Sequence, residues 1–183
     1  MIGAAFGVTL ARAQAGDEAA FACIFRDTQP ALLRYLRVMT PDPEDVAGDT
    51  WLQVVDGLAR FRGEEQAFRA WLFTIARHRA ADAGRSRARR PVVPLDTSDA
   101  AQQLTFPDAA DQALEAVATQ AAMGLIASLP HDQAEIIILR VVAGLDASDV
   151  ARIVGKTPGA VRVAAHRGLR RLAGQAERAG VTL

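Results

Sequence analysis

Residues 144–172 read GLDASDVARIVGKTPGAVRVAAHRGLRRL, and the punctuation of this stretch decides how the chain folds. Asp146 is placed to cap a short helix from Ala147 to Val154. Gly155 stops that helix, and Thr157-Pro158 restarts the chain as an N-cap followed by proline at the first helical position. Two helices joined by a three- or four-residue turn containing glycine form a helix-turn-helix. The small Ala151 lets the helices approach closely, and Val161 is placed to plug the gap between them. On the second helix Val161, Ala165, Leu169 and Leu172 are expected to point inward. Arg162, His166 and Arg170 recur at i, i+4 and i+8 on another face, with Arg167 beside them. Such a face fits a major groove, where arginine reads guanine or phosphate. An exposed basic helix face is also ordinary solvated surface, and the same two-helix geometry occurs in proteins that never meet DNA.

Upstream, Leu114, Val117, Ala121 and Leu125 keep a helical period, and Ser128-Leu129-Pro130 opens a segment that includes EIIILRVV at 135–142. The β-branched run suits a strand. Helix is expected instead, because a lone strand among helices has no partner for its backbone and a continuously apolar run is also what a fully packed helix looks like. Gly144 ends it. Residues 92–110, VVPLDTSDAAQQLTFPDAA, are rich in Pro, Asp and small residues without a period, and read as an exposed linker and domain boundary.

Towards the N-terminus, a helix is expected to start near Asp17 as its cap, with Phe21, Ile24 and Phe25 on one face until Pro30 interrupts. The pattern resumes with Leu32, Leu33, Leu36 and Met39. Pro41-Asp42-Pro43 ends that helix and opens the next, with Asp42 as N-cap and Pro43 at the first helical position. Val46, Thr50, Trp51, Val54 and Leu58 are its buried stripe; Glu44, Asp45, Asp49, Gln53 and Asp56 are its opposite face. A loop at 61–65 precedes a long helix from about Gln66, with Phe68, Trp71, Leu72 and Ile75 buried. Its far half crowds Arg77, Arg79, Arg85, Arg87, Arg89 and Arg90 up to Pro91.

The bulk composition narrows the function. Net charge is zero, but the zero hides an alternation. Residues 1–59 hold four Arg against eight acids, 60–91 nine Arg against three acids, 92–122 five acids and no base, and 123–183 eight bases against five acids. Two basic blocks around an acidic connector suggest two separate surfaces for a polyanion. Abundant alanine, leucine and arginine with 5% aromatics favour an all-α fold. Cys23 is the only cysteine and is expected to be a buried thiol, which gives no ground for assigning it a redox role. No His/Cys grouping has metal-ligand spacing, so no metal or cofactor is expected. The opening MIGAAFGVTL is apolar but short and lacks a cationic lead, so a signal peptide is not expected, nor is any membrane span; the protein is expected to be cytoplasmic. His78, His131 and His166 lie in separate segments. With no nucleophile beside a base and no glycine-rich phosphate loop, catalytic residues, a small-molecule substrate and enzymatic activity are not expected.

Three stretches in order resemble the extracytoplasmic-function (ECF) sigma factors of bacterial RNA polymerase. Asp42 to Trp51 is similar to their region 2.2, Phe61-Arg62-Gly63 through Phe68-Arg69-Ala70-Trp71-Leu72 and Ile75-Ala76-Arg77 to regions 2.3 and 2.4, and Gly144 to Leu172 to region 4.2. The resemblance implies two small helical domains: an N-terminal extension at 1–16, region 2 at 17–91, a linker at 92–113, region 4 at 114–176 and a tail at 177–183. It implies polymerase binding to the β′ clamp helices through Asp42, Glu44, Asp45, Asp49 and Gln53, with region 4 packing on the β flap. It assigns the minus-10 element to Phe61, Arg62, Arg77, His78, Arg79 and Arg85, with the 61–68 loop capturing a flipped base. It assigns the minus-35 element to Lys156, Thr157, Arg162, His166, Arg167 and Arg170. An anti-sigma factor is a further implied partner, and the acidic linker would thread toward the active cleft. Gly48, Asp49 and His78 depart from the residues the family often carries there, and Gly48 could admit the polymerase or a neighbouring helix. The competing reading is a stand-alone helix-turn-helix regulator that binds duplex DNA without polymerase.

Overall fold

The computed structural model describes residues 1–89 and 120–178; the linker expected at 92–113, with Leu114 and Val117, lies outside them, as does most of the expected tail. A 3₁₀ turn at Gly3–Ala5 leads into α1 (Phe6–Gln14), α2 (Glu18–Met39), α3 (Pro43–Leu58) and α4 (Glu65–Arg89). After a helical stretch over 120–127 come α5 (His131–Ile137), continuing into a π-helical turn at Ile138–Val142, then α6 (Ala147–Val154) and α7 (Pro158–Arg178). There is no strand among the described residues, and none of their helices is long and apolar enough to cross a membrane. The fold is all-α, built as two helical units.

In the first unit the expected cap holds. The Asp17 carboxylate accepts from the Ala20 amide at 3.0 Å, and that bond, then the Arg12 guanidinium, lowers its pKa below the usual 3.8. Pro30, however, does not interrupt the helix: α2 runs unbroken through it. The proline is on the solvent side, where the amide it lacks and the carbonyl it crowds face water, so the usual cost of an internal proline falls where it is smallest. Ile24, Leu32, Tyr35 and Leu36 then form one face of the core, against Val46, Trp51, Val54 and Leu58 of α3 and Phe68, Leu72, Phe73 and Ile75 of α4. Each fully buried side chain of this size contributes about 1.5–3 kcal/mol. Asp42 occupies the N-cap position of α3, but its side chain makes no capping bond; it reaches across to Arg87 near the end of α4, an ion pair that draws the carboxylate off the helix. Cys23 is exposed rather than buried, because it lies on the outer side of α2.

In the second unit Asp146 accepts from the amides of Ser148 and Asp149 at 2.8 and 2.7 Å, Gly155 takes the left-handed φ of 69° that the turn requires, and Thr157 accepts from Ala160 at 3.2 Å. Val161 is fully buried as the plug and Ala151 nearly so. Leu169 is a correction. It is 48% exposed, and its neighbour Gly168 faces inward, where an added Cβ would lie 2.4 Å from Ile137 Cδ1. A glycine there brings α7 against α5 closer than a leucine stripe would allow.

The EIIIL run is helical, as expected, and its four apolar residues Ile136 to Leu139 are all buried. A one-sided helix would hide about half of them. This one packs on α7 along one side and on α2 along another, so the run is enclosed by both units. At its end the Ala143 amide bonds the Ile138 carbonyl at 2.9 Å, one residue wider than α-helical, and Gly144 closes the turn with φ 68°.

Candidate nucleic-acid interface

On α7, Arg162, His166, Arg167 and Arg170 are all exposed, and none of the four is in an ion pair among the described residues. Exposed Val163 and Leu169 stand among them, two apolar side chains that the sequence reading left off this face. Together they make a mixed surface of guanidiniums and methyl groups, the combination that reads guanine edges and thymine methyls. Thr157 caps the helix at its N-terminal end. Lys156 is engaged instead with Asp132 of α5 at 2.9 Å, which lowers the Asp132 pKa, so the ammonium anchors the turn to its own unit.

On α3, Glu44, Asp45, Asp49, Gln53 and Asp56 are exposed as their spacing required. Glu44 lies 3.5 Å from Arg37, and Gln53 accepts from Arg79 Nε at 2.9 Å. Leu52 and Val55 are also exposed, at 68% and 54%, in the middle of this acidic face. Their signal was present in the sequence as two apolar residues outside the buried stripe of α3. Gly48 is exposed with open space around its Cβ position, so no neighbouring helix among the described residues is the reason for it.

The segment between α3 and α4 is held on an aromatic floor. Phe61 stacks on Trp71 with ring centroids 5.1 Å apart and meets Phe68 edge-on at 5.5 Å. Phe68 is wholly buried, whereas Trp71 is half-exposed and closes a cleft of about 370 Å³ with Gln53, Asp56, Gly57, Arg60 and Phe61. Gly57 is required here: a Cβ would come within 2.7 Å of the Trp71 ring. Arg62 is exposed and curls back so that Nη1 donates to the carbonyls of Ala59 and Phe61 at 2.9 and 2.7 Å.

Along α4, His78, Arg85, Arg87 and Arg89 are exposed and Arg79 is half-buried. Arg85 pairs with Asp82 one turn earlier. Arg77, also half-buried, differs from them in being held by the second unit. Its Nε donates at 2.8 Å to Glu135 Oε1 of α5, which also accepts from the hydroxyl of Tyr35 at 3.1 Å. Burial, then the Glu135 charge, raises the Tyr35 pKa well above its ordinary range, so the phenol stays a donor. Arg69, only 5% exposed, makes a second tie: Nη1 to Asp27 at 3.1 Å within the first unit and Nε to the Ala143 carbonyl of the second at 3.0 Å. Both units are therefore joined by buried and part-buried, charge-assisted bonds that the sequence alone did not reveal.

Residues 24–90 match the family model for sigma-70 region 2, and residues 119–172 that for sigma-70 region 4. The chain is 36% identical over 189 residues to the ECF RNA polymerase sigma factor SigD of Mycobacterium tuberculosis, covering 98% of this chain and 88% of that protein. It is 33% identical over 181 residues to the ECF RNA polymerase sigma factor ShbA of Streptomyces griseus, covering 93% and 95%. Two solved structures share the fold at 23% identity. CnrH in complex with the cytosolic domain of CnrY has a TM-score of 0.61 over 95% of this chain and 98% of that one. The sigma factor RpoE in complex with the anti-sigma factor NepR, from Bartonella quintana, has a TM-score of 0.62 over 86% and 96%.

Proposed function

The chain belongs to the extracytoplasmic-function RNA polymerase sigma factors, which bind core polymerase and direct promoter-specific initiation, and from that premise we propose which of its surfaces performs each part of the task. The observation that carries the assignment is that one chain presents two unlike surfaces: an acidic helix face around exposed Leu52 and Val55, and a basic helix-turn-helix face around exposed Val163 and Leu169. The acidic face of α3, with Asp42, Glu44, Asp45, Asp49 and Gln53, docks on the β′ clamp helices; Leu52 and Val55 supply the apolar centre, and the carboxylates form a polar rim that steers approach. Gly48 leaves that surface flat.

Residues 17–91 act as region 2. The cleft beside Phe61 receives a base extruded from the minus-10 element, stacked against Trp71, with Asp56 available to its polar edge. Arg62, His78, Arg79 and Arg85 follow the separated strand by phosphate contact and stacking. Arg77 joins them only after it leaves Glu135, so the packed arrangement of the two units withholds one strand contact until they part. Residues 114–176 act as region 4, reading the minus-35 element through Thr157, Arg162, His166, Arg167 and Arg170 and packing on the β flap. The protein is a non-enzymatic subunit that works with polymerase in the cytoplasm, and an anti-sigma factor covering these two surfaces is its expected regulator.

The test is run-off transcription with purified protein and sigma-free core polymerase on promoter fragments from its own genome. Discrete transcripts that require the protein are expected. Charge reversal of Glu44 and Asp45 should weaken core binding several-fold and leave DNA contacts unchanged. Arg162→Ala should weaken binding of the upstream element by about 1–3 kcal/mol. Tight duplex binding by the protein alone, with no binding to core enzyme, would instead identify a stand-alone regulator.

A further inference from the structure

The N-terminal helix lies ahead of the stretch that matches region 2, and its contacts converge on one place. Phe6, Leu10 and Ala13 are buried, and the Phe6 ring sits 5.6 Å from that of Phe68, the residue beneath Phe61. At the preceding turn, the amides of Ile2 and Gly3 donate to the two carboxylate oxygens of Glu65 at 3.0 and 2.7 Å. At the far end, Gln14 Nε2 donates to the carbonyls of Leu58 at 2.8 Å and Phe61 at 2.9 Å. Glu65 begins α4 and Leu58 ends α3, so the short segment between them is pinned at both its entrance and its exit by residues 2–14.

The Leu58 carbonyl, in the last turn of α3, also accepts from the Phe61 amide at 3.1 Å, whereas the Phe61 carbonyl lies past the helix end and depends on side-chain donors. The Phe61 carbonyl has two donors, Gln14 and Arg62. If Arg62 is to reach a DNA strand it must release that carbonyl, which then keeps Gln14 as its side-chain donor. Half-buried Gln14 thus allows the arginine to leave without orphaning a polar group and without letting the aromatic floor shift.

We propose that residues 1–16 are a working part of the minus-10 reader and that Gln14 is a positioning residue, holding the 61–64 loop in its base-accepting shape while Arg62 turns outward. This rests on the assignment of that loop to the minus-10 element. It is tested with the full-length protein in reconstituted holoenzyme. Competitive binding to a library with a randomised single-stranded minus-10 segment on a fixed minus-35 duplex gives a base-preference profile for each variant. Gln14→Met keeps the volume and removes the donors; Gln14→Glu replaces them with acceptors. Both should flatten the preference at the loop-read position by about threefold to tenfold. Core affinity and minus-35 selectivity should stay unchanged, and the flattening should persist when assays are moved well below the melting temperature of each variant. A merely structural role would lower melting and leave the profile intact. The proposal is overturned if Arg62→Ala flattens the profile and both Gln14 variants keep it. If Arg62→Ala also keeps it, the loop assignment fails and takes this inference with it.

Discussion

Nine of the ten aromatic residues lie within 1–89, whereas 120–178 contains none. The first unit fills its interior with rings from four helices, so Phe6, Tyr35, Phe68 and Phe73 each reach far from their own backbone. The second fills its interior by bringing backbones together, using Gly168, Ala151 and the small plug Val161 between short helices. A ring-filled core tolerates distance between helices; a backbone-filled one does not. The second unit is also about the size at which a domain buries too little surface to be securely stable alone, roughly 60% of what its unfolded chain exposes. It completes its burial against α2 and α4.

The most severe test of this contrast is to cut the seam from the ring-rich side. Arg69→Ala leaves the buried Ala143 carbonyl without its donor and Asp27 with only the N-terminal ammonium as its ionic partner, and about 3 kcal/mol should be lost in urea unfolding. A loss near zero would mean that the second unit does not lean on the first. Next, Gly168→Ala should cost about 1–3 kcal/mol, because the methyl must displace Ile137, whereas Gly48→Ala on exposed α3 should gain up to about 1 kcal/mol. Equal effects at the two glycines would remove the distinction between the cores. Glu135→Gln keeps the shape of the seam but not its charge. Polymerase-free binding of a single-stranded minus-10 oligonucleotide should rise about tenfold as Arg77 is released, with lower energy transfer between dyes at Cys23 and at a cysteine introduced for Ala127. Unchanged binding would show that Arg77 is not withheld. The smallest effect is on acid stability. Asp146 has a folded-state pKa below its ordinary 3.8, so its capping contribution is complete above about pH 4 and fades as pH falls through the lowered value. Asp146→Ala should lose stability at neutral pH and show a shallower acid decline; an identical acid profile would mean the cap contributes nothing.

Much of this was legible because local chemistry decided it. Asp17, Asp146, Gly155 and Thr157-Pro158 mark helix ends through bonds spanning three or four residues, and the basic and acidic faces follow from helical spacing. What failed depended on partners distant in the sequence. Asp42 gave up its cap for Arg87, forty-five positions away. Pro30 was tolerated because its side of α2 faces water, and Leu169 turned outward because Gly168 had a close neighbour in α5. Residues 1–16 appeared unassigned because their contacts are with Glu65, Leu58 and Phe61. Arg77 was read correctly as basic, but nothing near it in sequence announces Glu135.

The buried run Ile136 to Leu139 has a consequence for the lifetime of the protein. Four consecutive branched apolar residues, fully hidden only while both units enclose them although Ile137 also packs on Gly168 of its own unit, are good strand formers where they are uncovered. Arg140, directly behind them, is the sole charge that interrupts the run before Val141 and Val142. Any species in which the units have parted without polymerase or another protein over the gap is thus also a substrate for aggregation and for the proteases that patrol for exposed apolar chain. Openness and persistence are therefore opposed in the same short run of side chains.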